Sequence, residues 1–127
     1  MIDLPADLKY AATHEWARLD QDGTLLMGIT DFAQEQLGDL VFIQLADVGK
    51  QLREKDQCAT LESVKTASDI YSPIAGEVVE INQEATNEPQ LVNEDPYGTW
   101  LLRIKPQGSP NLEALLDANA YRSSIDA

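Results

Sequence analysis

Basic residues are scarce: nine Lys and Arg stand against 22 Asp and Glu, for a formal net charge of −13. That deficit removes the cationic surface that nucleic-acid phosphates or anionic lipid would need, so neither is expected as a partner. Partners should present basic or neutral faces instead. Cysteine and histidine are nearly absent. Cys58, standing alone, forms no internal disulfide, and with His14 as the single histidine no Cys/His zinc set can be assembled. A reducing compartment suits such a chain. Long apolar runs are missing too, which excludes a membrane-spanning helix. The opening residues Met1-Ile2-Asp3-Leu4-Pro5-Ala6-Asp7 carry acids where a secretory or mitochondrial leader would carry Arg or Lys. A cytoplasmic location is expected. The length of 127 residues fits one domain, large enough to bury a core without covalent staples.

What is present is a series of short apolar stretches separated by turn signals. Leu25-Leu26-Met27-Gly28-Ile29, Leu40-Val41-Phe42-Ile43, Glu77-Val78-Val79-Glu80-Ile81 and Trp100-Leu101-Leu102-Arg103-Ile104 read as strands. Between the first two, the segment from Thr30 to Gly38 opens on an Asp-x-x-Gln capping pattern and closes on glycine, which predicts a short helix. Near the C-terminus, Ser109 and Pro110 supply an N-cap and a first-turn proline, and Leu112, Leu115 and Leu116 share a helical face. Asp117 can then cap a last turn or two through Tyr121 and Ile125.

The chain also echoes itself. Gly38-Asp39-Leu40-Val41-Phe42-Ile43 returns 38 residues later as Gly76-Glu77-Val78-Val79-Glu80-Ile81. Each copy is followed by a polar stretch and another strand candidate, Gln57 to Glu62 and Thr99 to Lys105. Two similar β units related by a pseudo-two-fold are therefore expected. Ser63 to Ser72 would join them.

That joining segment holds the candidate functional residue. Lys65 lies between the strand candidates Gln57 to Leu61 and Ser68 to Tyr71, so a hairpin would project its long stem outward. The bend Val64-Lys65-Thr66-Ala67 lacks glycine and asparagine, and a turn that breaks the usual chemistry is a candidate site. Glu62 and Asp69 flank the lysine and can mark it for a modifying enzyme. By itself this reading competes with a lysine that is simply solvated.

Further motifs extend the comparison along nearly the whole chain. They stand as Lys9-Tyr10, His14-Glu15-Trp16, Gly28-Ile29-Thr30-Asp31-Phe32-Ala33-Gln34, Leu37-Gly38-Asp39-Leu40-Val41-Phe42, Glu62-Ser63-Val64-Lys65, Ser72-Pro73-Ile74-Ala75-Gly76-Glu77-Val78 and Val92-Asn93-Glu94-Asp95-Pro96-Tyr97. In these the sequence resembles the H proteins of the glycine cleavage system. The resemblance implies a mainly β fold, a flattened barrel or sandwich of two small sheets of the lipoyl- and biotinyl-carrier type, with short helices and a C-terminal helical segment. It implies one lipoyl-carrier domain over residues 1–127, its core at about residues 20–105 and its helical extension at about residues 109–127. Biotin carriers usually show Met-Lys-Met and acyltransferase lipoyl domains Asp-Lys-Ala, whereas Val64-Lys65-Thr66 matches neither. The sequence departs from the family pattern at Tyr97-Gly98-Thr99-Trp100, where one more residue and a glycine before the tryptophan are common, and at Cys58.

The function implied is that of a non-catalytic carrier with lipoic acid in amide linkage on Lys65. A pyridoxal-phosphate glycine decarboxylase (the P protein) would load an aminomethyl group. An aminomethyltransferase (the T protein) would take the one-carbon unit, and dihydrolipoyl dehydrogenase (the L protein) would reoxidise the dithiol. A lysine amine is protonated at neutral pH and a poor nucleophile, so a separate lipoylating enzyme must activate lipoate. A monomer is expected. Thr13 and Glu15 alternate on an extended segment and face one side; with Asp69 they correspond to family positions that hold the loaded amine. Three other readings stay open: a relay passing lipoyl groups to other carriers, an unmodified acidic interaction module, and an enzyme built on Cys58 and His14. The bland roles for the last two residues are a small buried side chain and a structural histidine.

Overall fold

The computed structural model describes residues 2–108 and 112–126. In chain order its strands are β1 (Lys9–Tyr10), β2 (Glu15–Leu19), β3 (Leu25–Ile29), β4 (Leu40–Leu45), β5 (Gln51–Leu52), β6 (Gln57–Ser63), β7 (Ala67–Tyr71), β8 (Gly76–Ile81) and β9 (Leu102–Pro106). The helices are α1 (Asp31–Leu37), α2 (Gln83–Asn87), α3 (Gln90–Glu94) and α4 (Ala118–Asp126). A six-stranded sheet runs β1-β2-β3-β9-β8-β5 and a three-stranded sheet runs β4-β6-β7, all neighbours antiparallel. The mainly β architecture of two sheets with short helices is thus the one expected.

β3 is buried along its whole length because both of its faces are covered. Leu25, Met27 and Ile29 enter the core shared by the two sheets, together with Leu61, Ile70, Val78 and Ile104. Leu26 turns the other way, into a second cluster with Tyr10, Trp16 and Tyr121. The alternation is the period-2 geometry of a strand, with a hydrophobic layer on each side. Gly28 faces the second layer, and a Cβ there would come within 2.8 Å of the Trp16 indole. β1 and β2 belong to the larger sheet, so the strand-bearing body reaches back to Lys9.

The internal echo is structural. β4 pairs with β6 and β8 pairs with β9, and each pair carries a bulge, between Leu40 and Phe42 in one and between Val78 and Glu80 in the other. The extra residues, Val41 and Val79, occupy the same position in the two copies. The register repeats as well: Phe42 lies opposite Glu62 as Glu80 lies opposite Arg103, and Ile43 opposite Leu61 as Ile81 opposite Leu102.

Three local expectations need correction. The N-cap of α1 is Thr30, whose hydroxyl accepts from the Ala33 amide; Asp31 and Gln34 bond side chain to side chain instead, at 2.7 Å. Gly38 ends that helix at φ 84°, a conformation that favours glycine. The strand expected from Trp100 runs from Leu102, since the Trp100 carbonyl is taken by the Asn82 side chain and its ring lies 5.8 Å from the Arg103 guanidinium carbon. Finally, Leu112, Leu115 and Leu116 do not line one α-helix. Leu112–Ala114 makes a 3-10 turn, and Leu116 exchanges both backbone hydrogen bonds with Tyr10, which requires extended chain. Ser109 and Pro110 lie outside the described residues. Asp117 does cap α4, accepting from the Ala120 amide at 2.8 Å.

The shortened turn at Tyr97 closes on Asp95, whose carboxylate accepts from the Gly98 amide at 3.0 Å. Gly76, where the second copy begins, lies so close to β9 that a Cβ would sit 2.3 Å from the Lys105 carbonyl oxygen. A backbone atom in a sheet cannot step aside, so Gly76→Ala should lower the unfolding free energy by about 2 kcal/mol, measurable by urea denaturation.

Candidate functional site

Lys65 occupies the tip of the β6–β7 hairpin. Serine replaces the turn residues that the sequence lacks there. The Ser63 hydroxyl accepts from the Lys65 and Thr66 amides at 3.3 and 3.1 Å, while the Ser63 amide donates to the Thr66 carbonyl at 2.7 Å. This hydroxyl-mimicked turn fixes the bend without a glycine. The Val64 amide donates to the Asp39 carbonyl at 3.0 Å, bracing the tip against the entry to β4. That entry is itself pinned by Asn93, which accepts from the Leu40 amide and donates to the Gly38 carbonyl, each at 2.9 Å. The Lys65 stem lies over Gly38, where a Cβ would stand 3.2 Å from its Cε. The lysine is exposed, and no ion pair holds it among the described residues. Ser63, Gly38 and Asn93 were not singled out from the sequence as site residues, although all three stand within its motifs.

Glu62 and Asp69 share the solvent face of the small sheet. Glu62 lies opposite Ala67 and Phe42, and Asp69 lies opposite Thr60, which places the side chains on one side. Asp69 accepts from the Gln57 side chain at 3.0 Å. Around them stand three large exposed apolar residues, Val41 at 57%, Phe42 at 48% and Val64 at 71%.

Thr13 and Glu15 meet at the far end of the same hairpin. The Thr13 hydroxyl donates to one carboxyl oxygen of Glu15, and the other accepts the Tyr71 amide at 3.2 Å. β7 is the edge of its sheet, so Glu15 satisfies an edge amide that has no strand to receive it. Glu15 is 1% exposed. Burial pushes it up to about 7, against the opposing pull of the bonds from Thr13 and Tyr71. It opens on a groove of about 670 Å³ lined also by Lys55, Tyr71, Pro73, Leu115 and Leu116. The structure therefore brings Thr13 to Glu15 and both to β7, while Lys65 stands at the opposite end of that strand.

The sequence and the fold have close counterparts. The family model described as glycine cleavage H-protein matches residues 8–127. The glycine cleavage system H protein of Idiomarina loihiensis is 56% identical over 127 residues, covering 99% of this chain and 98% of its own. That of Alkalilimnicola ehrlichii is 52% identical, covering 98% and 97%. Among solved structures, a glycine cleavage system H protein from Mycobacterium marinum superimposes with a TM-score of 0.89 at 38% identity, over 98% of this chain and 100% of that one. The chain belongs to the glycine cleavage H-protein family.

Within this family member, Cys58 and His14 do not come together. Cys58 is buried with its sulfur 3.8 Å from that of Met27, and burial pushes the thiol up to about 12, assisted by the nearby Glu15 charge. Such a thiol is inert. The His14 Nδ1 lies 2.7 Å from the Tyr121 hydroxyl, and burial lowers the imidazole below its ordinary value. Among the described residues no group of three or more His, Cys, Asp or Glu forms a metal site, and no helix is long and apolar enough to cross a membrane.

The buried Glu15 has a measurable consequence. A carboxyl that ionises near 7 when folded but near 4.5 when unfolded keeps its proton longer in the native state. Its stabilising effect is full below pH 4.5 and is lost as pH rises through 7. Between those limits wild type should lose up to about 3 kcal/mol relative to Glu15→Gln, read from paired urea titrations at each pH.

Proposed function

We propose that Lys65 carries lipoic acid in amide linkage and that the chain is the mobile, non-catalytic carrier of the bacterial glycine cleavage system, working in the cytoplasm. It takes an aminomethyl group from the pyridoxal-phosphate decarboxylase to the aminomethyltransferase and presents its dithiol to dihydrolipoyl dehydrogenase. The observation that carries this reading is a matched pair of environments on one hairpin. At one end stands an exposed amine on a braced tip, with no ion pair among the described residues; at the other lies a sheltered carboxyl with a groove before it.

The residues fit the group. From the lysine Cα to the dithiolane an extended arm of about eleven bonds spans roughly 14 Å. β7, from Ala67 to Tyr71, covers about 13 Å at the usual rise per residue. Because Lys65 stands two residues before Ala67, an arm laid back along this edge would reach toward the Glu15 end of β7. When bound, the lipoyl group supplies the redox and group-transfer chemistry. The protein's part is to hold and shelter. Thr13 and Glu15 would hold the amine of such a cargo, with Glu15 as the carboxylate paired to it, and Asp69 would line the path. The apolar walls Pro73, Leu115 and Leu116 reduce access of water.

Outward from the tip, Glu62 and Asp69 mark the lysine for the lipoylating enzyme, while Val41, Phe42 and Val64 give the system's enzymes an apolar footing around the arm's base. Such a cluster beside a reactive group is an interaction surface.

Incubation with lipoate, ATP and a lipoyl ligase should add one lipoyl group to wild type, on the peptide containing Lys65. Lys65→Arg keeps the charge but removes the acylatable amine; it should take up none while its melting temperature stays within about 1 °C. Uptake by Lys65→Arg, or none by wild type, would overturn the assignment.

A further inference from the structure

The loop that carries Thr13 and Glu15 breaks a conformational rule. β1 and β2 are joined by a tight hairpin in which the His14 amide donates to the Ala11 carbonyl at 2.9 Å and the Ala11 amide to the Glu15 carbonyl at 2.8 Å. Loops of this length place their last residue in the left-handed region, a position that usually goes to glycine. Here it is His14, at φ 79°, one of two non-glycine residues with positive φ among those described. A side chain in that conformation persists only when its surroundings hold it.

Tyr121, Phe32 and Thr30 hold it there. The imidazole Nδ1 lies 2.7 Å from the Tyr121 hydroxyl, and that hydroxyl lies 2.8 Å from the Thr30 hydroxyl that caps α1. Phe32 packs against the imidazole with centroids 4.9 Å apart, and the Thr30 amide donates to the His14 carbonyl at 3.1 Å. Tyr121 is itself fixed, its ring stacked on Tyr10 at 5.0 Å. On either side of His14 stand Thr13 and Glu15, whose mutual bond depends on the peptide planes that the kink sets. The same C-terminal segment supplies Leu115 and Leu116 to the groove wall and pairs Leu116 with Tyr10.

We propose that His14 and Tyr121 are positioning residues for the amine-holding pair: the Tyr121 hydroxyl clamps His14 in its left-handed kink, and the kink aims Thr13 and Glu15 into the groove. The C-terminal helix thereby belongs to the cargo site although none of its side chains lines the groove. This assignment rests on the reading that Thr13 and Glu15 receive the arm's amine.

Two variant sets test it in the unmodified full-length protein, with the Glu15 carboxyl titration followed by carbon-13 NMR. Tyr121→Phe deletes the hydroxyl but keeps the ring on Tyr10. It should lower the Glu15 midpoint by at least one pH unit toward the ordinary carboxylate range. Adding His14→Gly should restore the midpoint, because glycine takes the kink without a clamp. In an otherwise native background His14→Gly should leave the midpoint in place and His14→Val, which resists positive φ, should lower it. In lipoylated protein loaded with aminomethyl, the same ranking should appear as a several-fold shorter cargo lifetime for Tyr121→Phe and His14→Val. Unchanged midpoints in folded Tyr121→Phe, failure of His14→Gly to restore them, or equal midpoints for His14→Gly and His14→Val would each overturn the positioning role. An unchanged cargo lifetime in Glu15→Gln would instead overturn the amine-holding reading, while the titrations still decide the role of the clamp.

Discussion

Burial of β3 on both faces is the constraint on which the rest depends. A strand covered on one side would need only the second sheet; Leu26 and Gly28 demand a second layer, which Trp16, Tyr10 and Tyr121 provide. That layer brings the C-terminal helix back across the N-terminal hairpin. Its weight falls on the turn between β1 and β2, which holds Thr13 and leads into Glu15. Packing of the hydrophobic layers and shaping of the groove before Glu15 are one event.

The two copies of the internal repeat show what the site adds to the scaffold. Both copies share a bulge and a register, yet their surfaces differ. At the position of Phe42 the second copy has Glu80, which binds Arg103 at 3.0 Å, and Arg103 also holds Asp20 at 2.7 Å. That copy's surface is closed by an ion network. In the first copy the corresponding pair is exposed Phe42 beside Glu62, with Val41 and Val64 uncovered nearby. The same framework is sealed on one side and left open around Lys65.

Much of this was legible beforehand. Short apolar stretches between turn signals marked most strands, and the repeat from Gly38 to Gly76 proved real because a bulge position and a glycine at close approach leave a mark in sequence. Lys65 emerged from a turn without turn residues, but Ser63 as its substitute did not, since a serine hydroxyl acts through geometry that spacing alone cannot reveal. The leucines after Asn111 were misread for a related reason: helical spacing was present, but pairing of Leu116 with Tyr10, more than a hundred residues away, overrode it. Thr13 and Glu15 do meet, but not by alternating on an extended segment: a tight turn with His14 at φ 79° brings them together. The clamp on His14 joins residues 107 apart and left no local signal.

The central claim is that the amine on Lys65 is the attachment point of the swinging arm. Intact mass and peptide mapping of the chain isolated from lipoate-replete cells test it most directly. The account predicts a single lipoyl adduct confined to the Lys65 peptide. A fully unmodified chain from such cells, or an adduct on any other lysine, would contradict it.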